Sequence, residues 1–378
     1  MRREVLASAP GRLDFLNTHQ DYKGLPVVAV AVNLRTRVWA GRAEGVCRAR
    51  SLDTGEYGEF KPGEPPAGRA FLDYIKAAVV ALGRSGVEVR GCELEVKSEV
   101  PIASGMASSA ALLVASVGAL SALWGGPIGP ASVAETAYIA ERDVMGVPCG
   151  RLDQYGSAFG WISYIHTRPP YNVERLEFDE GVFVALDSGV KHSTADIHPQ
   201  RQRELDEGLR ALLRIAPEGL REKLAERHWE VRWEELDEEE LAPYLKEIPE
   251  VPARRILFTI RMHKSTLVAL KVLRGEEVAA PYLPEPGGED WRARALGAVM
   301  TYQHGLLRDL YDVSTPELDG LVEGALSRGA YGAKLSGAGL GGIVMALAPA
   351  GAADRVGGVG EVRRWVLKVD EGLRVEFL

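Results

Sequence analysis

The fold class this sequence predicts is α+β in two domains, and three observations predict it. The chain has 378 residues, 46% hydrophobic and 26% charged, enough to bury two cores rather than one. Its opening, Val5 to Trp39, consists of short apolar runs punctuated by Gly and Pro, the mark of strands joined by tight loops. After Leu186 the pattern turns to long charged helical segments, which places the boundary there, with residues 1–185 as one domain and 186–378 as the other.

Taken in order, Val27 to Val32 reads as a strand and Phe71 to Leu82 as a helix with apolar residues at helical spacing. Cys92 to Val96 alternates as a strand does and leads through a Gly-rich loop into a stretch with no charge from Val100 to Ala134. Within it, Ala107 to Trp124 is long enough to span a bilayer. It is built mostly of Ala, Ser and Gly, lacks aromatic belts and has no second apolar span to pair with. The expectation is therefore a helix buried on all sides, whose small residues admit close neighbours. Val182 to Leu186 is a further apolar strand, and long charged helices are expected from Gln200 through Glu240. The acidic run Glu234 to Glu240 is expected on a solvated helix face or loop. Pro252 to Leu273 and Trp291 to Arg328 read as helical, and Ala333 to Leu347 as a Gly-rich turn followed by the strand Ile343 to Leu347. No internal repeat is apparent.

Lys and Arg number 45 against 53 Asp and Glu, a formal net charge of -8. That balance argues against a nucleic-acid footprint and a polybasic membrane patch, and leaves small solutes as the expected partners. Cys47, Cys92 and Cys149 are odd in number, far apart and without C-x-x-C spacing, which argues against a disulfide framework or a zinc knuckle and fits a reducing cytosol. Met1 to Arg12 contains three arginines and no apolar core, so no signal peptide is expected and the location expected is cytoplasmic. The expected state is a monomer or weak homodimer. Only three Asn and five Gln stand beside abundant Glu and Arg, a composition that hints at a hot-growing source.

Two Gly-rich segments carry candidate chemistry. Pro101-Ile-Ala-Ser-Gly-Met-Ala-Ser-Ser-Ala-Ala111 precedes the long helix, so its N–H groups and the helix dipole suit a phosphate, with Ser108 and Ser109 adding hydroxyls for phosphate or Mg²⁺. Small residues packed closely explain the same segment equally well. Gly337-Ala-Gly-Leu-Gly-Gly342 formally matches the G-x-G-x-x-G dinucleotide fingerprint, but it runs into a strand near the C-terminus rather than opening a helix after the first strand. A Rossmann dehydrogenase is disfavoured on that ground, and the absence of G-x-x-x-x-G-K-[ST] disfavours a P-loop kinase. Three polar clusters stand in apolar surroundings: Gly11-Arg-Leu-Asp14 with His19-Gln-Asp-Tyr22, Glu141-Arg-Asp143, and Gly150-Arg-Leu-Asp-Gln-Tyr155. Phosphoryl transfer needs a carboxylate to accept a proton, oxygen ligands for Mg²⁺ and a cation to offset charge. An internal Arg12–Asp153 ion pair and an exposed Glu141 are the plainer alternatives, and chemistry alone does not choose between them.

The order and wording of these segments resemble the GHMP kinase superfamily and, within it, the galactokinase family. Gly11-Arg-Leu-Asp-Phe-Leu-Asn-Thr-His-Gln-Asp-Tyr-Lys-Gly24 is similar to the first motif, residues 101–111 to the second and Lys334 to Gly342 to the third. Cys149-Gly-Arg-Leu-Asp-Gln154 is similar to the segment with the catalytic aspartate, and Asp187-Ser-Gly-Val-Lys-His-Ser193 to the strand and turn after it. Leu306 to Glu323 looks like the galactokinase segment at that place, which homoserine and mevalonate kinases do not share. The resemblance covers nearly the whole chain. It implies an N-terminal domain like ribosomal protein S5, a C-terminal ferredoxin-like α+β domain and an active site in the cleft between them.

Residue by residue, the resemblance implies that Asp153 takes the proton from a sugar's anomeric hydroxyl, with Arg12 positioning it. Ser109 and Glu141 match the positions that hold Mg²⁺, while Ser104, Gly105, Met106, Ala107 and Ser108 match the loop that lines the triphosphate of ATP. Thr18, His19, Asp21 and Gly150 match sugar contacts, and Ser336, Gly337 and Gly339 a turn over the nucleotide. Phe71 and Tyr74 fall where the family lines its adenine pocket. One departure is chemical: where the family carries a sugar-contacting glutamate this chain has Thr18, so recognition at the far end of the sugar is expected to be broader or shifted. The implied activity is an ATP-dependent sugar 1-kinase, most closely a galactokinase. The alternatives are a kinase for arabinose, a uronic acid or an amino sugar, and a catalytically silent sugar sensor, against which the joint retention of Arg12, Ser109, Glu141 and Asp153 speaks.

Overall fold

The computed structural model describes residues 3–102, 104–190, 194–358 and 362–378. The chain divides into two compact units: Met1–Leu13, Ala29–Ile165 and Val369–Leu378 form the first, and Asp14–Val28 with His166–Lys368 form the second. The boundary thus falls twenty residues before the expected one at 185, and two segments change sides. Asp14–Val28 change sides because β1 (Val5–Leu16) and β2 (Val27–Arg42) both run past the limits of the first unit, and the strand Val182–Asp187 falls in the second because it pairs with Ile343–Ala348 and Arg364–Leu367. The α+β class itself holds.

The first unit continues with β3 (Cys47–Ser51), β4 (Tyr57–Phe60), α1 (Phe71–Arg84) and β5 (Cys92–Ser98). After the Gly-rich loop come α2 (Ser108–Leu123), α3 (Pro130–Ile139), α4 (Leu152–Phe159) and β6 (Ile162–Ile165). Helix α2 is the uncharged stretch, and every residue from Leu113 to Leu123 is buried. Its small residues serve close packing, since a Cβ added at Gly118 would come within 2.9 Å of the Leu373 side chain. No helix among the described residues is long and apolar enough to cross a membrane.

The second unit holds β7 (Val173–Leu176), β8 (Val182–Asp187), α5 (Thr194–Ile215), α6 (Glu218–Arg221), α7 (Glu238–Leu245) and α8 (Glu250–Leu273). It goes on with α9 (Trp291–Asp309), α10 (Pro316–Ser327), β9 (Gly332–Ser336), β10 (Ile343–Ala348), α11 (Ala353–Gly357) and β11 (Arg364–Leu367). Its antiparallel sheet runs in the order β11-β8-β10-β9, and Val184, Leu186, Val344 and Ala346 pack there against Phe258, Met262 and Leu307. Lys191, His192 and Ser193 of the segment after β8, and Ala103 of the Gly-rich loop, lie outside the described residues. The last strand, β12 (Arg374–Phe377), returns to β1 in the first unit, where the order is β12-β1-β2-β5-β3-β4 with β6 also on β2.

Two helical readings need correction. The expected long helices over Gln200–Glu240 stop at Ile215, just before Pro217, and the chain then makes short turns that bury Val231, Trp233 and Leu236. The helical region Trp291–Arg328 breaks at Leu310 and restarts at Pro316, where the Thr315 hydroxyl accepts from the Leu318 N–H at 3.4 Å. The acidic run opens α7, with Asp237 capping Glu239 N–H at 2.8 Å and pairing with Lys264, a placement the helix dipole favours.

Candidate active site

In the first unit the first motif and the Gly-rich loop lie against each other. Arg12 N–H donates to Met106 O at 3.1 Å, and a Cβ on Gly11 would stand 2.9 Å from that same carbonyl. Gly11 therefore permits the approach. The Arg12 guanidinium is 5% exposed and divides its donors: Nη1 to Gly105 O at 2.6 Å, Nε and Nη2 to Asp153 Oδ1 at 3.0 and 2.6 Å. Asp153, on the first turn of α4, keeps 31% of its side chain exposed. Gly156, one turn further on, brings α4 close to β2, since a Cβ there would lie 2.7 Å from that of Ala29.

Glu141 sits on a single π-helical turn, Ala140–Val144, that ends α3, with Met145 N–H bonded to Ala140 O at 3.1 Å. Such turns reaim side chains. Its buried carboxylate accepts hydrogen bonds from Gln154 Nε2 and the Ser109 hydroxyl. Burial, and next the negative charge of Asp153, push the Glu141 carboxyl up to about 7, against the opposing pull of Ser109, Gln154 and Arg12. Tyr74 faces the same group: burial and then the Glu141 charge raise its phenol. The residues thus brought together, Ser109, Glu141 and Asp153, present hard oxygen donors and no imidazole, a set that fits Mg²⁺. Among the described residues no group of three or more His, Cys, Asp or Glu forms a metal cage, so the fit is to an ion that takes its remaining ligands from phosphate and water.

The loop ahead of α2 is shaped by Ser104, whose hydroxyl donates to Pro101 O at 2.8 Å, and by left-handed backbone at Gly105 (φ 86°) and Ala107 (φ 56°). Met106 is fully buried, and Ser108 and Ser109 form the first turn of α2, where backbone N–H groups lack intrahelical partners. Gly150 lies in the half-buried turn before α4, and Phe71 is half-buried at the start of α1.

In the second unit the continuation of the first motif is stitched to the third. Asp14 N–H donates to the Ser336 hydroxyl at 2.9 Å. The fully buried Lys334 donates from Nζ to Asp14 O at 2.8 Å and to Thr18 Oγ1 at 2.7 Å, and Thr18 gives its proton to Asp14 Oδ1 at 3.0 Å. His19 Nε2 lies 3.0 Å from Ala338 O. Asp21 is partly exposed and accepts from Tyr22 N–H at 3.0 Å. The turn between β9 and β10 has left-handed backbone at Gly337 (φ 90°) and Gly339 (φ 87°), so it is a hairpin and not a dinucleotide loop. Gln154 and Lys334 stand in motif segments that give them no role of their own, and Tyr311 gives no signal beyond an aromatic residue between helices.

Residues 73–161 match the GHMP kinases N terminal domain, 292–358 the GHMP kinases C terminal domain, and 2–42 the galactokinase galactose-binding signature. A galactokinase of Homo sapiens is 31% identical over 369 residues, covering 93% of this chain and 85% of that protein. A galactokinase of Roseiflexus sp. (strain RS-1) is 30% identical over 350 residues, 91% of this chain and 83% of that one. In fold the chain is similar to Lactococcus lactis galactokinase complexed with galactose, at a TM-score of 0.82 and 24% identity over 99% of this chain and 95% of that one. By these matches and by its ordered motifs, the chain belongs to the galactokinase family of the GHMP kinase superfamily.

Proposed function

We propose that this chain is an ATP-dependent sugar 1-kinase that moves the γ-phosphate of ATP to the anomeric hydroxyl of galactose or a close relative. The observation that carries the reading is the Arg12–Asp153 pair beside the buried Glu141 and Ser109, at the mouth of a Gly-rich helix start. Asp153 is bound by Arg12 through Oδ1, so the partly exposed carboxylate accepts the hydroxyl proton while its orientation stays fixed. As the sugar oxygen bonds to the γ-phosphorus, the bond from that phosphorus to the bridging oxygen breaks and ADP leaves. Arg12 offsets negative charge next to the reacting oxygen, and its second contact, to Gly105 O, keeps loop and base in register.

Residues 104–108 would hold the triphosphate through backbone N–H groups, and Ser109 with Glu141 would hold Mg²⁺, which when bound neutralises charge on the phosphate oxygens. Tyr74 borders that acid cluster and would sit beside the nucleotide. In the second unit, Asp21 is proposed as an acceptor for a sugar hydroxyl, and Ser336, Gly337 and Gly339 as a nucleotide contact; Gly150, in the first, is proposed to meet the sugar ring. Sugar and ATP are the partners this reading needs, in a cytoplasmic monomer or weak homodimer.

One observation favours a wider choice of sugar: the Thr18 proton is committed to Asp14 and its oxygen receives Lys334, where the family's glutamate would reach a sugar hydroxyl. A coupled assay of ADP release over hexoses, pentoses and uronic acids tests both readings. Galactose among the best substrates supports the first, a pentose or uronic acid well ahead of it supports the second, and no turnover of any sugar defeats the kinase assignment.

A further inference from the structure

His19 lies in the second unit at φ 64°, two residues after Asn17 at φ 66°, so two non-glycine residues of the first motif are held in left-handed backbone. Such strain persists only where surrounding contacts over-determine it. Around the imidazole are the rings of His198 at 5.1 Å, Tyr311 at 5.0 Å and Tyr22 at 6.0 Å. Both ring nitrogens are engaged within the protein: Nε2 lies 3.0 Å from Ala338 O and Nδ1 3.1 Å from the Tyr22 hydroxyl, which in turn is 2.8 Å from the Tyr311 hydroxyl.

These contacts fix the direction of every hydrogen bond. A carbonyl oxygen only accepts, so Nε2 carries the hydrogen. The ring is neutral, because burial, and then the charges of His198 and Lys23, hold its pKa well below the usual imidazole value, with Arg201 acting in the same sense. Nδ1 is therefore a lone pair, and the Tyr22 hydroxyl donates to it. That hydroxyl accepts in turn from Tyr311, whose ring is stacked on Phe258 at 3.9 Å. The chain Tyr311 to Tyr22 to His19 to Ala338 thus runs one way and ends in the Gly-rich turn between β9 and β10.

We propose that His19 is a positioning residue for that turn: Tyr311 and Tyr22 keep its proton on Nε2, and Nε2–H pins the Ala338 carbonyl, so that His19 acts on nucleotide binding rather than by touching the sugar. This goes beyond the sugar contact expected of His19, and it rests on the reading that Ser336 to Gly339 meet the nucleotide. The same turn is fastened as well by the Asp14 N–H bond to the Ser336 hydroxyl and by the Leu340 N–H bond to Val313 O at 2.7 Å. None of these fastenings uses the backbone of Gly337 or Gly339.

The test has a spectroscopic and a kinetic arm on the full-length protein. With ¹⁵N-labelled histidine, and His19→Gln to assign the signals, His19 at neutral pH is expected to show the Nε2–H tautomer, and Tyr22→Phe to move it towards Nδ1–H. An imidazolium, or an Nδ1–H tautomer in the wild type, overturns the proposal, and this arm is readable whether or not the protein phosphorylates a sugar. In the kinetic arm, His19→Gln keeps a donor near the Nε2 position, whereas the shorter His19→Asn cannot reach Ala338. The nucleotide KM is expected to rise about tenfold in His19→Asn, to be largely restored in His19→Gln, and to exceed any change in sugar KM. Tyr311→Phe, which retains the stacked ring, is expected to shift nucleotide KM the same way by about threefold, and serves if a His19 variant does not fold. A rise in sugar KM with nucleotide KM unchanged in these variants shows that His19 reads the sugar and overturns the inference. Absence of turnover in the wild type strikes the kinase reading instead.

Discussion

The acid cluster of the first unit and the polar bundle of the second use the same residue types in opposite ways. In the first, Asp153 and Glu141 are near enough for the charge of one to raise the other, and Asp153 keeps about a third of its side chain exposed. In the second, Lys334, Thr18, Asp14 and Ser336 are buried and satisfy one another by hydrogen bonds, as do His19, Tyr22 and Tyr311. Two carboxylates under mutual repulsion are stabilised by an arriving cation and proton donor, which is the condition of a reactive site. A network whose buried groups already satisfy one another holds a backbone shape. Function is therefore to be sought where electrostatics is unfinished, and positioning where it is complete.

The contrast is broken most severely at Asp153. Asp153→Asn preserves shape and the Arg12 contact but removes the proton acceptor, so kcat is expected to fall by about 10²–10⁴-fold while sugar affinity by calorimetry is retained. Near-normal kcat in this variant would leave the pair as a structural ion bridge only.

The second unit should instead reveal itself through stability. Burial lowers His263 to about 4 and also lowers His304 and His19. Between the ordinary imidazole value near 6.5 and about 4, the unfolded chain binds a proton at His263 that the folded chain does not, so stability falls as pH drops through that window and levels below it. His263 alone corresponds to a loss on the order of 3 kcal/mol, about a hundredfold in the folded-to-unfolded ratio. Urea unfolding at pH 7.5 and pH 5 is expected to show about 2 kcal/mol of this loss, with the remainder appearing towards pH 4, and His263→Gln to flatten it. An equal pH dependence in wild type and variant would assign acid sensitivity to other groups.

A smaller effect is expected at Thr18, where the proposed reading puts the closed bundle in place of a sugar contact. With the Thr18 hydroxyl tied to Asp14 and Lys334, discrimination at the far end of the sugar lacks a charge-assisted hydrogen bond worth about 1.5–3 kcal/mol, or roughly ten- to hundredfold. Values of kcat/KM for galactose, 6-deoxygalactose and arabinose should therefore lie within about tenfold in the wild type and spread apart in Thr18→Glu. Rejection of both poorer sugars by a hundredfold or more in the wild type would show that another residue reads that end.

The same contrast explains what was legible in the sequence. Residues 101–111, Arg12, Glu141 and Asp153 announce themselves because charges and glycines stand out against apolar surroundings, and their meeting in space follows from the family order. The closed network is nearly silent, because Lys334 and Tyr311 look like an ordinary lysine and an ordinary aromatic until the fold buries them. Cys47 and Cys92 read as unrelated by spacing, yet β3 and β5 place them directly opposite each other, both thiols free and hydrogen-bonded. The boundary expected at 185 and the division into two units differ for a related reason. Hydropathy marks where strands occur and carries no record that β1 and β2 outrun their unit or that β12 returns to β1.

The mildest test concerns the cation. Glu141 titrates at about 7 because burial and the Asp153 charge both disfavour its ionised form, and a bound Mg²⁺ needs that form. On the proposed reading, in which Glu141 holds Mg²⁺, binding of the ion competes with a proton in the physiological range. From pH 8 to pH 6 the ionised fraction of such a group falls by about tenfold, and the Mg²⁺ concentration for half-maximal binding should rise by the same factor. Calorimetric titration of Mg²⁺ into the protein with ADP measures this without turnover. Glu141→Gln keeps the side chain's size and removes both charge and titration, so it should need about tenfold more Mg²⁺ at pH 8 and show little change with pH. Because the phosphates titrate as well, the decisive quantity is the difference between wild type and variant. If the two rise in parallel as the pH falls, Glu141 is not a ligand, and the repulsion it shares with Asp153 serves the base alone.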